Sequence, residues 1–94
     1  MRESTVEGRL RTLVQREGGL SFKLSPTLAG LPDRVVLYKG ALYFVELKRP
    51  GGVLSPIQRH RHKELRQHGM TVVVLSSTDE VTEWVTSITI GDTE

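Results

Sequence analysis

The sequence predicts an α/β domain of element order αβββαβα, a mixed four-stranded sheet flanked by helices. Three observations carry this. Val6, Leu10, Leu13 and Val14 fall at i, i+4, i+7 and i+8, which is one apolar stripe of a helix over 3–17. Lys39-Gly40 lies between two runs of β-formers, the mark of a hairpin with a two-residue turn. The segment 55–68 reads as a helix between strands at 41–48 and 70–75. That layout is a βαβ crossover, right-handed, with the two strands parallel.

Each element has a local reason. Ser4-Thr5-Val6-Glu7 fits a capping box, with Ser4 as N-cap and Glu7 at the third helical position. Gly18-Gly19 ends that helix. Leu20-Ser21-Phe22-Lys23-Leu24 alternates as a first strand. In the loop 25–31, Gly30 lets the chain bend and Pro32 favours an extended Leu31. Both faces of the hairpin are largely apolar, so the sheet is expected to be covered on both sides. Tyr38 and Tyr43 read as packing residues. Arg49-Pro50-Gly51-Gly52 breaks the strand. Ser55-Pro56 then starts the next helix, with Ser55 as N-cap, Pro56 at the first position and Gln58 at the third. Gly69 closes it. Ile57 and Leu65 give that helix a narrow apolar line. Ser76-Ser77-Thr78 caps a last helix over 78–87, where Trp84 packs on the core or on a partner, and 88–94 fray.

Ninety-four residues, 37% of them apolar, make one small domain over 1–94. There is no cysteine, hence no disulfide framework and no thiolate metal site. No run of about 18 apolar residues marks a membrane span, and the N-terminus has no signal-peptide core. A bacterial or phage-infected host cytoplasm is the expected location. The net charge of +2 is unevenly spread. Residues 48–68 carry six cations, Lys48, Arg49, Arg59, Arg61, Lys63 and Arg66, against the single acid Glu64. Such a run suits a polyanion, or is a solvated helix face. Arg49, Arg59, Arg61, His62, Lys63 and Arg66 are the candidate nucleic-acid contacts. His60, His62 and His68 do not share a helix face, which argues against zinc.

The hairpin register holds the chemistry. If Lys39 and Gly40 form the turn, Tyr38 meets Ala41, Val35 meets Phe44 and Asp33 meets Glu46. Opposed residues hold their Cβ atoms about 4.5–5.5 Å apart. Lys48, two residues on, points to the same side. Close carboxylates repel, so this end of the sheet is either a salt-bridge cluster or a site for a hard divalent cation. A lysine beside such a cation orients or activates water.

Pro32-Asp33 followed by Glu46-Leu47-Lys48 resembles the PD-(D/E)xK nuclease signature. The longer pattern is helical Glu7, Gly30-x-Pro32-Asp33, Glu46-x-Lys48 and Ser55-x-x-Gln58. It resembles the VRR-NUC subfamily in its small stand-alone form, over roughly residues 3–76. The resemblance implies a restriction-endonuclease-like fold and a Mg²⁺- or Mn²⁺-dependent endodeoxyribonuclease. It implies metal ligation by Asp33, Glu46 and the Leu47 backbone carbonyl, and water activation by Lys48. It places Gln58 at the active site and gives Glu7 a water on the metal or a second cation, with Glu3 as fallback. Glu7 and Gln58 thus each carry two readings, cap and active-site residue. Stand-alone members look like homodimeric Holliday-junction resolvases, so DNA, including four-way junctions, and a second copy are the expected partners, with no small-molecule cofactor. Trp84 with the last helix, or the 20–24 edge strand, is the expected dimer contact. The rivals are a non-catalytic nucleic-acid-binding module and a nonspecific nuclease of a phage replication or restriction system.

Overall fold

The computed structural model describes residues 3–25 and 27–90, with Glu3 described by its backbone alone. The elements are α1 (Glu3–Arg16), β1 (Leu20–Lys23), β2 (Arg34–Tyr38), β3 (Ala41–Leu47), α2 (Pro56–Gln67), β4 (Thr71–Leu75) and α3 (Thr78–Thr89). The order is αβββαβα, as expected. The four strands form one sheet in the order β1-β2-β3-β4. β1, β2 and β3 are antiparallel neighbours, and β4 runs parallel to β3.

The hairpin register is the expected one: Tyr38 pairs with Ala41, Leu37 with Leu42 and Val35 with Phe44. Lys39 (φ 46°) and Gly40 (φ 82°) both have positive φ. This is a type I′ turn, whose twist matches that of the flanking strands. The two-residue loop therefore sets which side chains lie beside Asp33 and Glu46.

One face of the sheet carries the main core. Val36, Val45, Leu47 and Leu75 pack there on Val6, Leu10 and Val14 of α1 and Val81 and Val85 of α3. Trp84 joins this layer, its ring edge-on to Tyr43 at 5.4 Å and 87°. Ser77 caps α3 by accepting from the Glu80 amide, and the helix runs to Thr89, so residues 88 and 89, expected to fray, are helical, and 91–94 lie outside the described residues.

The other face departs from expectation. α2 lies against β4 and the Glu46 end of β3, so only part of this face is covered. Leu20 (58% exposed), Phe22 (40%), Leu42 (42%) and Met70 (40%) remain open to solvent at its far end. A 12-residue helix is about 18 Å long, too short and too far to one side to roof four strands. The start of α1 also differs. Ser4 is already helical, so it is not the N-cap of that helix.

Leu10 is fully buried at the α1–α3 contact. Leu10→Ala is expected to lower stability by about 2–5 kcal/mol. Leu42→Ala, on the open face, should change it by less than about 1 kcal/mol. Urea midpoints of the two variants check the contrast.

Candidate active site

Glu46 is the centre of the site. It sits on β3 facing α2 and is 1% exposed. A carboxylate this deep needs charged or hydrogen-bonding neighbours. Gln58 Nε2 donates to Glu46 Oε2 at 3.3 Å. Lys48 Nζ lies 3.8 Å from the same oxygen, and His62 Nε2 lies 3.7 Å from Oε1. Lys48 is therefore on the same side as Glu46, as the two-residue strand period requires.

Asp33 stands one residue before the first paired position of β2. Its Oδ2 accepts from the Leu47 amide at 3.1 Å, so its side chain bonds directly to the β3 backbone beyond the last ladder pair. Its main-chain carbonyl accepts from the Leu24 amide at 2.9 Å. Asp33 is thus tied to the residue after β1 and to β3 at once.

Gln58 makes the cap and also reaches Glu46. Ser55 Oγ accepts from the Gln58 amide (3.2 Å), and Gln58 Oε1 accepts from the Ser55 amide (2.9 Å), a complete capping box. The NH₂ end then reaches Glu46. The carbonyl of the amide can only accept and its nitrogen can only donate, so the cap and the carboxylate together fix its orientation.

Glu7 does not fold back on Ser4. Its carboxylate accepts from Arg34 Nη1 at 2.9 Å and lies 3.4 Å from Lys23 Nζ. The Arg34 side chain is 4% exposed and also donates to Ser21 Oγ. The capping-box expectation at Glu7 is therefore corrected: a buried cation attracts the carboxylate more strongly than a helix-end amide. Glu7, Lys23, Asp33 and Leu47 line one cleft of about 490 Å³, walled by Leu24, Leu28 and Leu31. The Glu3 side chain lies outside the described residues.

Among the described residues no three His, Cys, Asp or Glu side chains gather into a cage. The donors that the resemblance names are the carboxylates of Asp33 and Glu46 and the Leu47 carbonyl. Such hard oxygen donors, few in number, fit Mg²⁺ or Mn²⁺, which keep several waters. They do not fit a tetrahedral zinc site.

Two residues of the basic helix, His62 and Arg61, turn inward. His62 is fully buried against Glu46, which corrects its reading as a surface phosphate contact. Arg59 Nη1 donates to the Leu54 carbonyl, Arg66 Nη2 to the Val72 carbonyl, and Arg61 Nε to the Ala29 carbonyl. Arg49, Arg59, Lys63 and Arg66 are exposed. The expected apolar line through Ile57 fails, since Ile57 is 45% exposed. Gln58, His62 and Leu65, at i, i+4 and i+7, make the stripe that faces the sheet. That spacing was a signal for His62, masked by its polarity.

Burial lowers the His62 pKa from 6.5, the Arg66 cation lowers it further, Asp33 opposes, and Lys48 adds to the fall. The folded state therefore binds this proton less readily than the unfolded chain. Stability from neutral His62 is complete above about pH 6.5 and is lost as pH falls below that value toward the folded pKa. Urea midpoints of metal-free protein should drop on acidification through this window, and His62→Gln should flatten the drop. Gln58→Glu keeps the acceptor for Ser55 but sets a second carboxylate on Glu46. It should destabilise metal-free protein by about 1.5–3 kcal/mol at neutral pH, read by the same denaturation.

No family model matches the chain. It is 41% identical over 81 residues to the protein named "Putative nuclease p44" of Acyrthosiphon pisum secondary endosymbiont phage 1, covering 84% of this chain and 87% of that protein. Its fold is similar to a solved VRR-NUC domain with a TM-score of 0.81 at 31% identity, over 88% of this chain and 92% of that one. With this fold, this sheet order and that degree of identity, the chain belongs to the VRR-NUC family and is a nuclease-type domain.

Proposed function

We propose that residues 1–94 form a single metal-dependent endodeoxyribonuclease domain that hydrolyses phosphodiester bonds. The observation that carries this is the buried Glu46 carboxylate, flanked by Lys48 and Gln58 with Asp33 bonded to the next residue of the same strand. A salt-bridge cluster needs no such arrangement of buried charge, and a plain binding module needs no acidic site at all.

Asp33, Glu46 and the Leu47 carbonyl would hold Mg²⁺ or Mn²⁺. The cation, when bound, polarises the scissile phosphate and offsets the charge that develops on its oxygens. The chain's own groups do the rest. Gln58 orients the Glu46 carboxylate. Lys48 Nζ, charged beside Glu46, orients the attacking water, whose proton passes to solvent. Water adds to phosphorus, one P–O ester bond breaks, and the leaving oxygen regains a proton. Glu7, held by Arg34, lines the cleft beside Asp33 and is placed to hold a water there. Arg49, Arg59, Lys63 and Arg66 are the exposed cations of the 48–68 segment suited to DNA phosphates.

A structure-selective, Holliday-junction-resolvase-like activity as a homodimer is the finer form of this proposal. A two-fold pair places two sites on symmetry-related strands. The open apolar end of the sheet, with Leu20 and Phe22 on the β1 edge, favours that strand over Trp84, whose ring packs on Tyr43. The phage origin of the 41%-identical relative suits a bacterial or phage-infected host cytoplasm. Among the described residues no helix is long and apolar enough to cross a membrane.

The test is cleavage of single-stranded, duplex, flap and four-way-junction DNA with Mg²⁺ or Mn²⁺, by wild type and Asp33→Ala. Symmetric nicks on the junction, lost in the variant by a factor of about 100 or more, are the expected result. Cleavage of every DNA would retain the nuclease and discard the selectivity. No cleavage, or cleavage undiminished in Asp33→Ala, would leave a nucleic-acid-binding module. Mn²⁺ should raise the melting temperature of wild type and not of Asp33→Ala.

A further inference from the structure

Arg61 carries a charge that suits a phosphate, yet its side chain is only 15% exposed. Nε donates to the Ala29 carbonyl at 2.8 Å, while Nη1 meets the Glu64 carboxylate. That hydrogen bond is the main cause that holds Glu64 below its usual pKa. The guanidinium is thus directed into the protein, onto the loop that ends in Asp33.

Gly30 of that loop touches the same turn of α2. A Cβ at Gly30 would stand 2.5 Å from the Ile57 carbonyl oxygen, 2.9 Å from its carbon and 3.1 Å from Arg61 Cβ. Gly30 also has φ +81°, so both space and conformation call for glycine. Two residues on, Pro32 is fully buried and stiffens the link to Asp33.

Ile57 and Arg61 are one helical turn apart, and each precedes a residue that faces Glu46: Gln58 and His62. A single turn of α2 therefore meets the Asp33 loop on one side and the Glu46 carboxylate on the other. We infer that Arg61 is a positioning residue of the nuclease site, locking the Ala29–Gly30 loop onto α2 so that Asp33 keeps its place relative to Glu46 and Gln58. The planar guanidinium engages a carbonyl and a carboxylate at once through two different nitrogens. The point charge of a lysine does not reproduce this. The inference rests on the nuclease reading above.

The test compares Arg61→Ala and Arg61→Lys in the full chain by kcat, KM, the salt dependence of KM, and the Mn²⁺ concentration at half-maximal thermal stabilisation. Both variants should lower kcat about tenfold or more, raise the Mn²⁺ midpoint, and leave KM and its salt slope unchanged, with no rescue by lysine. A phosphate contact gives the opposite result, and would overturn the inference: KM rises in Arg61→Ala, the salt slope falls by about one, and lysine restores function. Unchanged kcat and Mn²⁺ midpoint in both variants would overturn it as well. Should Arg61→Ala not fold, Arg61→Lys, with stem and charge kept, carries the same comparison. If wild type binds Mn²⁺ but cleaves no DNA, the nuclease reading falls and the Mn²⁺ midpoints alone decide the role of Arg61; an unshifted midpoint, or no Mn²⁺ response in wild type, overturns that role.

Discussion

A carboxylate buried in the middle of a sheet is the constraint on which this molecule turns. Glu46 occupies a β3 position whose neighbours along the same face, Phe44 and Val74, are apolar. Taking an ionised group out of water costs several kcal/mol unless other groups replace its hydration. α2 supplies Gln58 and lays His62 Nε2 3.7 Å from the other oxygen, and β3 itself supplies Lys48. The helix is therefore placed by its polar residues as much as by Leu65. This explains why it sits at the Glu46 end of the sheet and leaves Leu20, Phe22 and Leu42 open at the other.

The same constraint links fold to chemistry. Gln58 is the N3 residue of a capping box and also a donor to Glu46. Helix start and carboxylate orientation are consequently one arrangement: the cap sets the amide, and the amide sets the carboxylate. Asp33 is tied in a comparable way. Its Oδ2 takes a backbone donor of β3 and its carbonyl takes the Leu24 amide, just past β1. Glu46 thus belongs to the hairpin itself, and Asp33, at the end of the preceding loop, is bonded to it. Sites on regular elements hold their geometry more tightly than sites on loops.

Charge divides by depth. Arg34 is buried and holds Glu7, while Arg59, Arg61 and Arg66 each donate to backbone carbonyls. Arg59 and Arg66 stay exposed while they donate, so among the α2 arginines Arg61 is the one turned inward. Guanidinium groups, with five donors in a fixed fork, serve this internal role more readily than lysines.

The element order, the hairpin register and the pairing of Asp33 with the Glu46–Lys48 strand end were all legible in the chain, because they follow from local rules. Side-chain period in strands, the positive φ demanded by a two-residue turn, and the Ser55-Pro56 helix start each act within a few residues. The partners of Glu7, the burial of His62 and the inward turn of Arg61 were not legible. Each depends on contacts between residues far apart in sequence: Glu7 with Arg34, His62 with Glu46, and Arg61 with Ala29. Local preference gave Glu7 a cap and His62 a solvent face. Tertiary packing overruled both, because a buried charge must find its counterpart wherever the fold brings one within reach.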